Sequence, residues 1–328
     1  MRQLTIGDEY GKLSVSAFSL GTIPFGTGWN EQDSFALLDR FAEAGGTFVD
    51  TADSYNQWHP GARGGESEET IGRWLKARGN RDEIVIATKN GALTTDPNRP
   101  SDLEVWAGLA GKAIRQSVEG NLRRLGVERI DLYYAHIDDR AVPLEETVET
   151  MAALVQEGKV GVIGCSNTAL WRLERARAHA RSLGLPRYSC IQQMHTYLWP
   201  RPDKAQIDTI TPELQDYARV ETDLALLGYK PVMNGAYTWN GDRTFPLDYD
   251  HPTNAARMRT LLEVADELGT NPYAVIVAWM LQSDPVVIPV SAARTVEQLD
   301  AQLAGVELHL EPELLRRLNE AGTESVSF

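Results

Sequence analysis

Four residues in the first half of the chain combine side chains that could carry out acid–base chemistry as a unit. Asp50 and Tyr55 stand five apart in Phe48-Val49-Asp50-Thr51-Ala52-Asp53-Ser54-Tyr55. Lys89 ends the β-branched run Ile84-Val85-Ile86-Ala87-Thr88-Lys89, and His136 ends Ile130-Asp131-Leu132-Tyr133-Tyr134-Ala135-His136. A tyrosine, with a free pKa of about 10, needs help to exchange its proton near neutrality. A lysine beside it favours the phenolate, and a carboxylate holds that lysine charged and in place. A lone lysine after a strand is usually a solvated loop residue. Four such groups at three successive strand ends are a different observation, because strand ends can converge on one cavity.

The elements that must place them repeat along the chain. Leu4-Thr5-Ile6 and Lys12-Leu13-Ser14-Val15 read as a hairpin preceding the repeat. Short apolar runs then alternate with helical patterns. The strands are Ala17–Thr22, the run into Asp50, Ile84–Lys89, Ile130–His136, Val160–Asn167, Ser189–Gln193, Leu224–Tyr229 and Val286–Pro289. Helices are expected over about Glu31–Ala44, from Gly65 through Leu75, over about Ala107–Leu125, after Pro143, after Asn167, from Thr211-Pro212-Glu213, over Ala255–Leu268 and Pro272–Leu281, and twice after the last strand. Gly91 to Ser101, rich in Thr, Asp, Asn and Pro, reads as a loop over the mouth of the fold. Eight strand–helix alternations imply a parallel sheet, and the count of eight favours an eight-stranded (β/α)8 TIM barrel with an N-terminal β-hairpin and extra C-terminal helices. No GxGxxG follows the first strand, which argues against a dinucleotide-binding open sheet. The 328 residues fit one elaborated barrel domain spanning 1–328.

Composition narrows the partners. A formal net charge of −14 argues against general affinity for nucleic acid or anionic membranes, so a phosphate-bearing cofactor would need a local basic site. The chain has no apolar run of membrane-spanning length, and Met1-Arg2-Gln3-Leu4 lacks a signal-peptide core, so a cytoplasmic protein is expected. Cys165 and Cys190 each lie in an apolar strand and lack metal-ligand spacing, so no metal is expected.

The sequence resembles the aldo-keto reductase superfamily from about Ser19 to Gly322, and Asp50, Tyr55, Lys89 and His136 match its catalytic tetrad. The match is dense around them: Gly64-Gly65-Glu66-Ser67-Glu68 with Ile71-Gly72, Leu122-Arg123-Arg124-Leu125-Gly126 before Ile130-Asp131-Leu132, and Gly158-Lys159-Val160 leading to Ile163-Gly164-Cys165-Ser166-Asn167. The resemblance implies reversible NADPH-dependent reduction of an aldehyde or ketone, with Tyr55 as proton donor, Lys89 lowering its pKa, Asp50 paired with Lys89, and His136 on the carbonyl oxygen. It implies that Ser166, Asn167 and Gln192 hold the nicotinamide carboxamide, that Tyr229 stacks on the ring, and that Gly21, Thr22 and Asp50 also face the cofactor. Lys230-Pro231-Val232 matches the family's Ser-Pro-Leu at the pyrophosphate, with lysine replacing serine. Arg294 is placed for the 2′-phosphate, with Gln298 and Gln302 for the adenine; on this basis NADPH/NADP+ is expected over NADH.

Loop aromatics Trp29, Trp58, Trp106, Trp199 and Trp239, together with His136, are expected to line the substrate pocket, while His195 carries no assigned role. Two other readings are weighed. One is an NADP(H)-binding regulatory or redox-sensing subunit with slow turnover, since the family resemblance also covers such members. The other is a metal-dependent barrel hydrolase or isomerase, which would need His/Asp/Glu clusters at strand ends; only His136 is a histidine at one of the assigned ends.

Overall fold

The computed structural model describes residues 1–201, 203, 208–237 and 247–323. Strands β1 (Gln3–Asp8) and β2 (Gly11–Ser16) form an antiparallel hairpin. Eight further strands close a barrel: β3 (Ser19–Gly21), β4 (Phe48–Asp50), β5 (Val85–Asn90), β6 (Ile130–Ala135), β7 (Val160–Ser166), β8 (Cys190–Met194), β9 (Ala225–Tyr229) and β10 (Val287–Ser291). Neighbours run parallel, and β10 pairs with both β9 and β3 to complete the circle.

Helices α1 (Glu31–Glu43), α2 (Glu66–Arg78), α3 (Gly111–Leu125), α4 (Leu144–Gln156), α5 (Leu170–Leu183) and α6 (Pro212–Val220) follow successive strands. Two helices, α7 (Pro252–Glu267) and α8 (Pro272–Leu281), lie between β9 and β10, and α9 (Val296–Leu303) and α10 (Pro312–Glu320) close the described chain. Local chemistry sets several boundaries. Asn30, Thr211, Asn271 and Thr295 cap α1, α6, α8 and α9 by accepting from a backbone N–H of the first turn. Helix α3 begins at Gly111 rather than near Ala107, because Leu103–Val105 is a short 3-10 turn and the following segment folds back, Ala107 N donating to Leu93 O and Gly108 N to Gly91 O.

The apolar residues form two cores. One lies between strands and helices; there α8, buried on nearly every side, is wedged against the barrel. The other fills the barrel itself, where Phe48, Leu132, Tyr134, Val162, Leu227 and Ile288 are continuous with Ile6, Leu13 and Val15 of the hairpin. The hairpin sits on the N-terminal end so closely that a Cβ on Gly11 would come 2.7 Å from Gly161 O. That end is stoppered. Open space, and with it any chemistry, is left to the C-terminal ends of the strands.

Candidate active site

Asp50 is the last residue of β4 and Lys89 the penultimate residue of β5, and both are fully buried. Lys89 Nζ is hydrogen-bonded to Asp50 Oδ1, donates to the carbonyl of Thr51 at 2.9 Å, and donates to the phenolic oxygen of Tyr55 at 2.8 Å. Those contacts use its three protons. The Tyr55 hydroxyl donates in turn to Asp50 Oδ1 at 3.3 Å, and Gln192 Nε2 donates to Asp50 Oδ2 at 2.7 Å. Both carboxylate oxygens are therefore engaged, which is what keeps a buried charge tolerable.

Tyr55 reaches this position on a tight turn. Asn56, next in sequence, has φ of 75° and is pinned at both ends of its amide: Nδ2 donates to Phe25 O at 2.7 Å, and Oδ1 accepts from Thr27 Oγ1 at 2.6 Å. Asparagine tolerates this left-handed conformation better than most residues. The loop after β4 is thus fastened to the loop after β3. Thr22, expected on the cofactor, has its hydroxyl committed to the Asp50 carbonyl at 2.9 Å and to the Ser67 hydroxyl at 2.8 Å, although it also borders the cavity.

Burial, followed by the neighbouring Asp50 carboxylate, pushes the Tyr55 phenol well above its ordinary value. Burial also lowers Lys89, with Asp50 acting the other way. The expectation that Lys89 leaves Tyr55 with a depressed pKa is corrected here: the lysine is in contact, but desolvation of the phenolate is the larger effect. The free site holds a protonated phenol, an acid in waiting. His136 is pushed down to about 3, first by burial and then by the Lys89 charge, so its imidazole is neutral. Its ring meets that of Tyr55 edge-on with centroids 6.1 Å apart, and its Nδ1 lies 3.4 Å from Ser54 Oγ.

A cavity of about 1840 Å³ opens above these groups. Asp50, Tyr55 and His136 lie on its wall with Gly21, Thr22, Ser166, Asn167, Gln192, Tyr229, Lys230, Val232, Arg294, Gln298 and Gln302, while Lys89 stands behind them. Asn167 ties its neighbours together, Nδ2 donating to His136 O at 2.9 Å and Oδ1 accepting from Tyr229 OH at 3.0 Å. Ser166 Oγ donates to Gln192 O at 2.7 Å. The exit of β9 is unusual: Lys230, Met233, Asn234 and Gly235 all have positive φ, between 45° and 89°. Within this turn Met233 N donates to Lys230 O at 3.1 Å and Gly235 N to Val232 O at 2.9 Å, while Lys230, Val232 and Asn234 border the cavity. Arg294 is exposed on the cavity rim, in the loop that leaves β10, the strand paired with β9, and ahead of the Thr295 cap of α9. Gln298 Oε1 accepts from Arg294 N at 2.9 Å and Gln302 Nε2 donates to Ala292 O at 3.1 Å, so both glutamines shape this loop as well as border the cavity.

Trp29, Trp58 and Trp106 line the cavity from the loops after β3, β4 and β5. Trp199 does not. It lies against α7, with the Arg257 guanidinium 4.5 Å from its ring centre, because the chain after β8 runs outward over that helix. Trp239 falls outside the described residues. His195 is stacked on Trp279 at 5.1 Å and is not part of the cavity wall. The thiols of Cys165 and Cys190 are buried, and burial pushes both upward, Cys165 to about 12. Among the described residues, no group of three or more His, Cys, Asp or Glu could hold a metal, and no helix is long and apolar enough to cross a membrane.

The sequence model of the Aldo/keto reductase family matches residues 17–323, taking in the barrel and every residue of the site. The chain belongs to this family. An uncharacterized oxidoreductase, YrpG, of Bacillus subtilis is 34% identical over 94% of this chain and 92% of its own length. Norsolorinic acid reductase stcV of Emericella nidulans is 33% identical over 96% of this chain and 80% of its own. The aryl-alcohol dehydrogenase [NADP(+)] of Phanerodontia chrysosporium is 30% identical over 94% and 83%. The aldo/keto reductase described here is accordingly an oxidoreductase acting on carbonyl groups of small molecules.

Several residues of the site were not singled out from the sequence. Asn56 was hidden because its importance lies in a backbone angle. Asn234 and Gly235 were hidden because the loop after β9 departs from the family pattern, and Tyr273, on α8, because only the fold brings it to that loop, its hydroxyl donating to Gly235 O at 3.1 Å. An Asn directly after the tetrad tyrosine, in a turn between strand and helix, was the one available signal for a left-handed residue.

Proposed function

We propose that this aldo/keto reductase uses NADPH to reduce an aromatic aldehyde or ketone to the alcohol, reversibly, with Tyr55 as the proton donor. The observation that carries the reading is the grouping of a protonated Tyr55, Asp50 and a neutral His136 on one cavity wall, with Lys89 behind them in contact with both Asp50 and the phenol. NADPH, when bound, supplies the hydride for the carbonyl carbon. Tyr55 gives its proton to the oxygen as that oxygen gains negative charge, and Lys89, 2.8 Å away, stabilises the phenolate left behind. Asp50 and Thr51 O keep the lysine aimed at the phenol. His136 donates a second hydrogen bond to the same oxygen and orients it.

The residues suit the cofactor. Ser166, Asn167 and Gln192 offer donors and acceptors to a carboxamide, Tyr229 offers a ring, and the turn after β9 offers the backbone N–H groups of Val232 and Asn234 and the Lys230 ammonium to a diphosphate. Arg294 provides a planar cation for a 2′-phosphate, which supports NADPH over NADH. Indoles from three separate loops support an aromatic substrate, as do relatives whose names specify an aryl alcohol and norsolorinic acid. The test is NADPH consumption by the purified protein with matched benzaldehydes, aryl ketones and short aliphatic aldehydes. Turnover with a higher kcat/KM for the aryl series is expected. Failure to consume NADPH with any carbonyl, despite tight cofactor binding, would leave the slow regulatory subunit as the better reading.

A further inference from the structure

The neutral imidazole of His136 has one N–H and one lone pair, and only one of its two tautomers helps a reduction. A proton on Nε2 can be donated to a carbonyl oxygen in the cavity; a proton on Nδ1 leaves a lone pair facing that oxygen instead. What decides between them is the partner of Nδ1. Ser54 is that partner: its Oγ lies 3.4 Å from Nδ1. The serine is buried and borders the same cavity, and its hydroxyl makes no other hydrogen bond among the described residues. A buried O–H left without an acceptor is costly, and the Nδ1 lone pair is the acceptor in reach.

We infer that Ser54 is a positioning residue that donates to Nδ1 of His136, fixes the Nε2–H tautomer and so aims a hydrogen-bond donor at the substrate oxygen. The rest of the ring's setting fits this role. Asn167 Nδ2 holds the His136 carbonyl at 2.9 Å, which fixes the backbone and leaves ring rotation and tautomer to be set elsewhere. Tyr55 approaches the imidazole edge-on, which places both donors around one point. Ser54 lies one residue before Tyr55, so the short turn that brings the acid into the cavity also brings the group that sets the second donor. No bond to the substrate is made by Ser54 itself.

The consequence for reduction rests on the function proposed above; the tautomer does not, and the two can be tested apart. Nitrogen-15 NMR of the full chain, loaded with NADP+ and with His136 assigned by comparison with His136→Gln, should show Nδ1 as the unprotonated nitrogen and Nε2 as the protonated one. Ser54→Ala should shift that signal toward the Nδ1–H form or a mixture, and should lower kcat for carbonyl reduction about 3- to 10-fold with NADPH affinity unchanged. Ser54→Thr, which keeps a hydroxyl, should restore both. A protonated Nδ1 in the unaltered protein would overturn the inference. So would an unchanged tautomer in Ser54→Ala, even if that variant were slower, since a merely structural loss would act through Tm or cofactor binding. A protein with the expected tautomer and its shift in Ser54→Ala, but no carbonyl turnover, would uphold the role of Ser54 and defeat the proposed function.

Discussion

Lys89 Nζ donates to the Tyr55 hydroxyl at 2.8 Å while the same ammonium is paired with Asp50 in a fully buried contact. The lysine therefore meets the phenol as a charged neighbour that cannot turn away, and its influence grows only when the phenol has given up its proton. Before that moment desolvation dominates and Tyr55 stays protonated. This asymmetry suits an acid whose conjugate base must be stabilised after the transfer.

Tyr55→Phe tests the acid. The ring remains, so the packing against His136 is kept, and only the transferable proton is lost. Reduction in single-turnover measurements should slow by about 10²–10⁴-fold with NADPH binding nearly intact. Retention of most of the rate would remove Tyr55 from the mechanism.

Lys89→Met should damage stability as well as chemistry. It leaves Asp50 buried without its counter-charge, with Gln192 and Tyr55 as remaining donors. Stability to urea should fall by about 3–5 kcal/mol. Adding Asp50→Asn should recover a large part of that stability and none of the activity, because the lost charge was also the support for the phenolate. Where the single variant folds, alcohol oxidation, which begins from phenolate, should move to higher pH.

Histidine burial predicts two pH behaviours. With His136 held down to about 3, reduction should show no histidine ionisation between about pH 5 and 8. Stability should behave differently. His136 and His195, the latter held down to about 4, are neutral when folded, whereas an unfolded histidine takes up a proton near pH 6.5. Their contribution is complete above pH 6.5 and is lost as pH falls from there toward their folded values, each adding up to about 1.4 kcal/mol per pH unit to the slope. Urea titrations from pH 7 to 4.5 should show this, and His195→Gln, whose ring packs on Trp279 outside the cavity, should flatten it.

Much of this site was legible because strand periodicity places strand-end residues on one face of a barrel, and Asp50, Lys89 and His136 are strand-end residues. Tyr55 followed from its distance to Asp50 and the family pattern. The direction of its pKa did not, since desolvation sums over atoms from several strands and loops that no local stretch contains. Trp199 was misplaced for a related reason: its loop leaves β8 and packs on Arg257 of α7, nearly sixty residues onward, and composition alone gives no path for such a loop. The turn after β9 was visible only as a lysine in place of a serine; the positive φ of Lys230, Met233, Asn234 and Gly235 is a property of the folded backbone.

Lys230 and Arg294 face the same cavity from different loops, and the proposed cofactor separates their roles. A diphosphate is common to NADPH and NADH, whereas the 2′-phosphate belongs to NADPH alone. Lys230 follows β9 beside the positive-φ turn, so Lys230→Ala should weaken both cofactors by a similar factor. Arg294 lies between β10 and α9, in a separate loop from Lys230, so Arg294→Ala should weaken NADPH and leave NADH nearly unchanged. Arg294 is exposed, so screening limits its contribution; a loss of about tenfold at low salt, shrinking as salt is raised, is expected. Fluorescence titration of both cofactors against both variants measures all four effects. Equal losses of NADPH and NADH in Arg294→Ala would move the 2′-phosphate elsewhere, and an unaltered NADPH affinity there, with tight NADH binding, would make NADH the working cofactor.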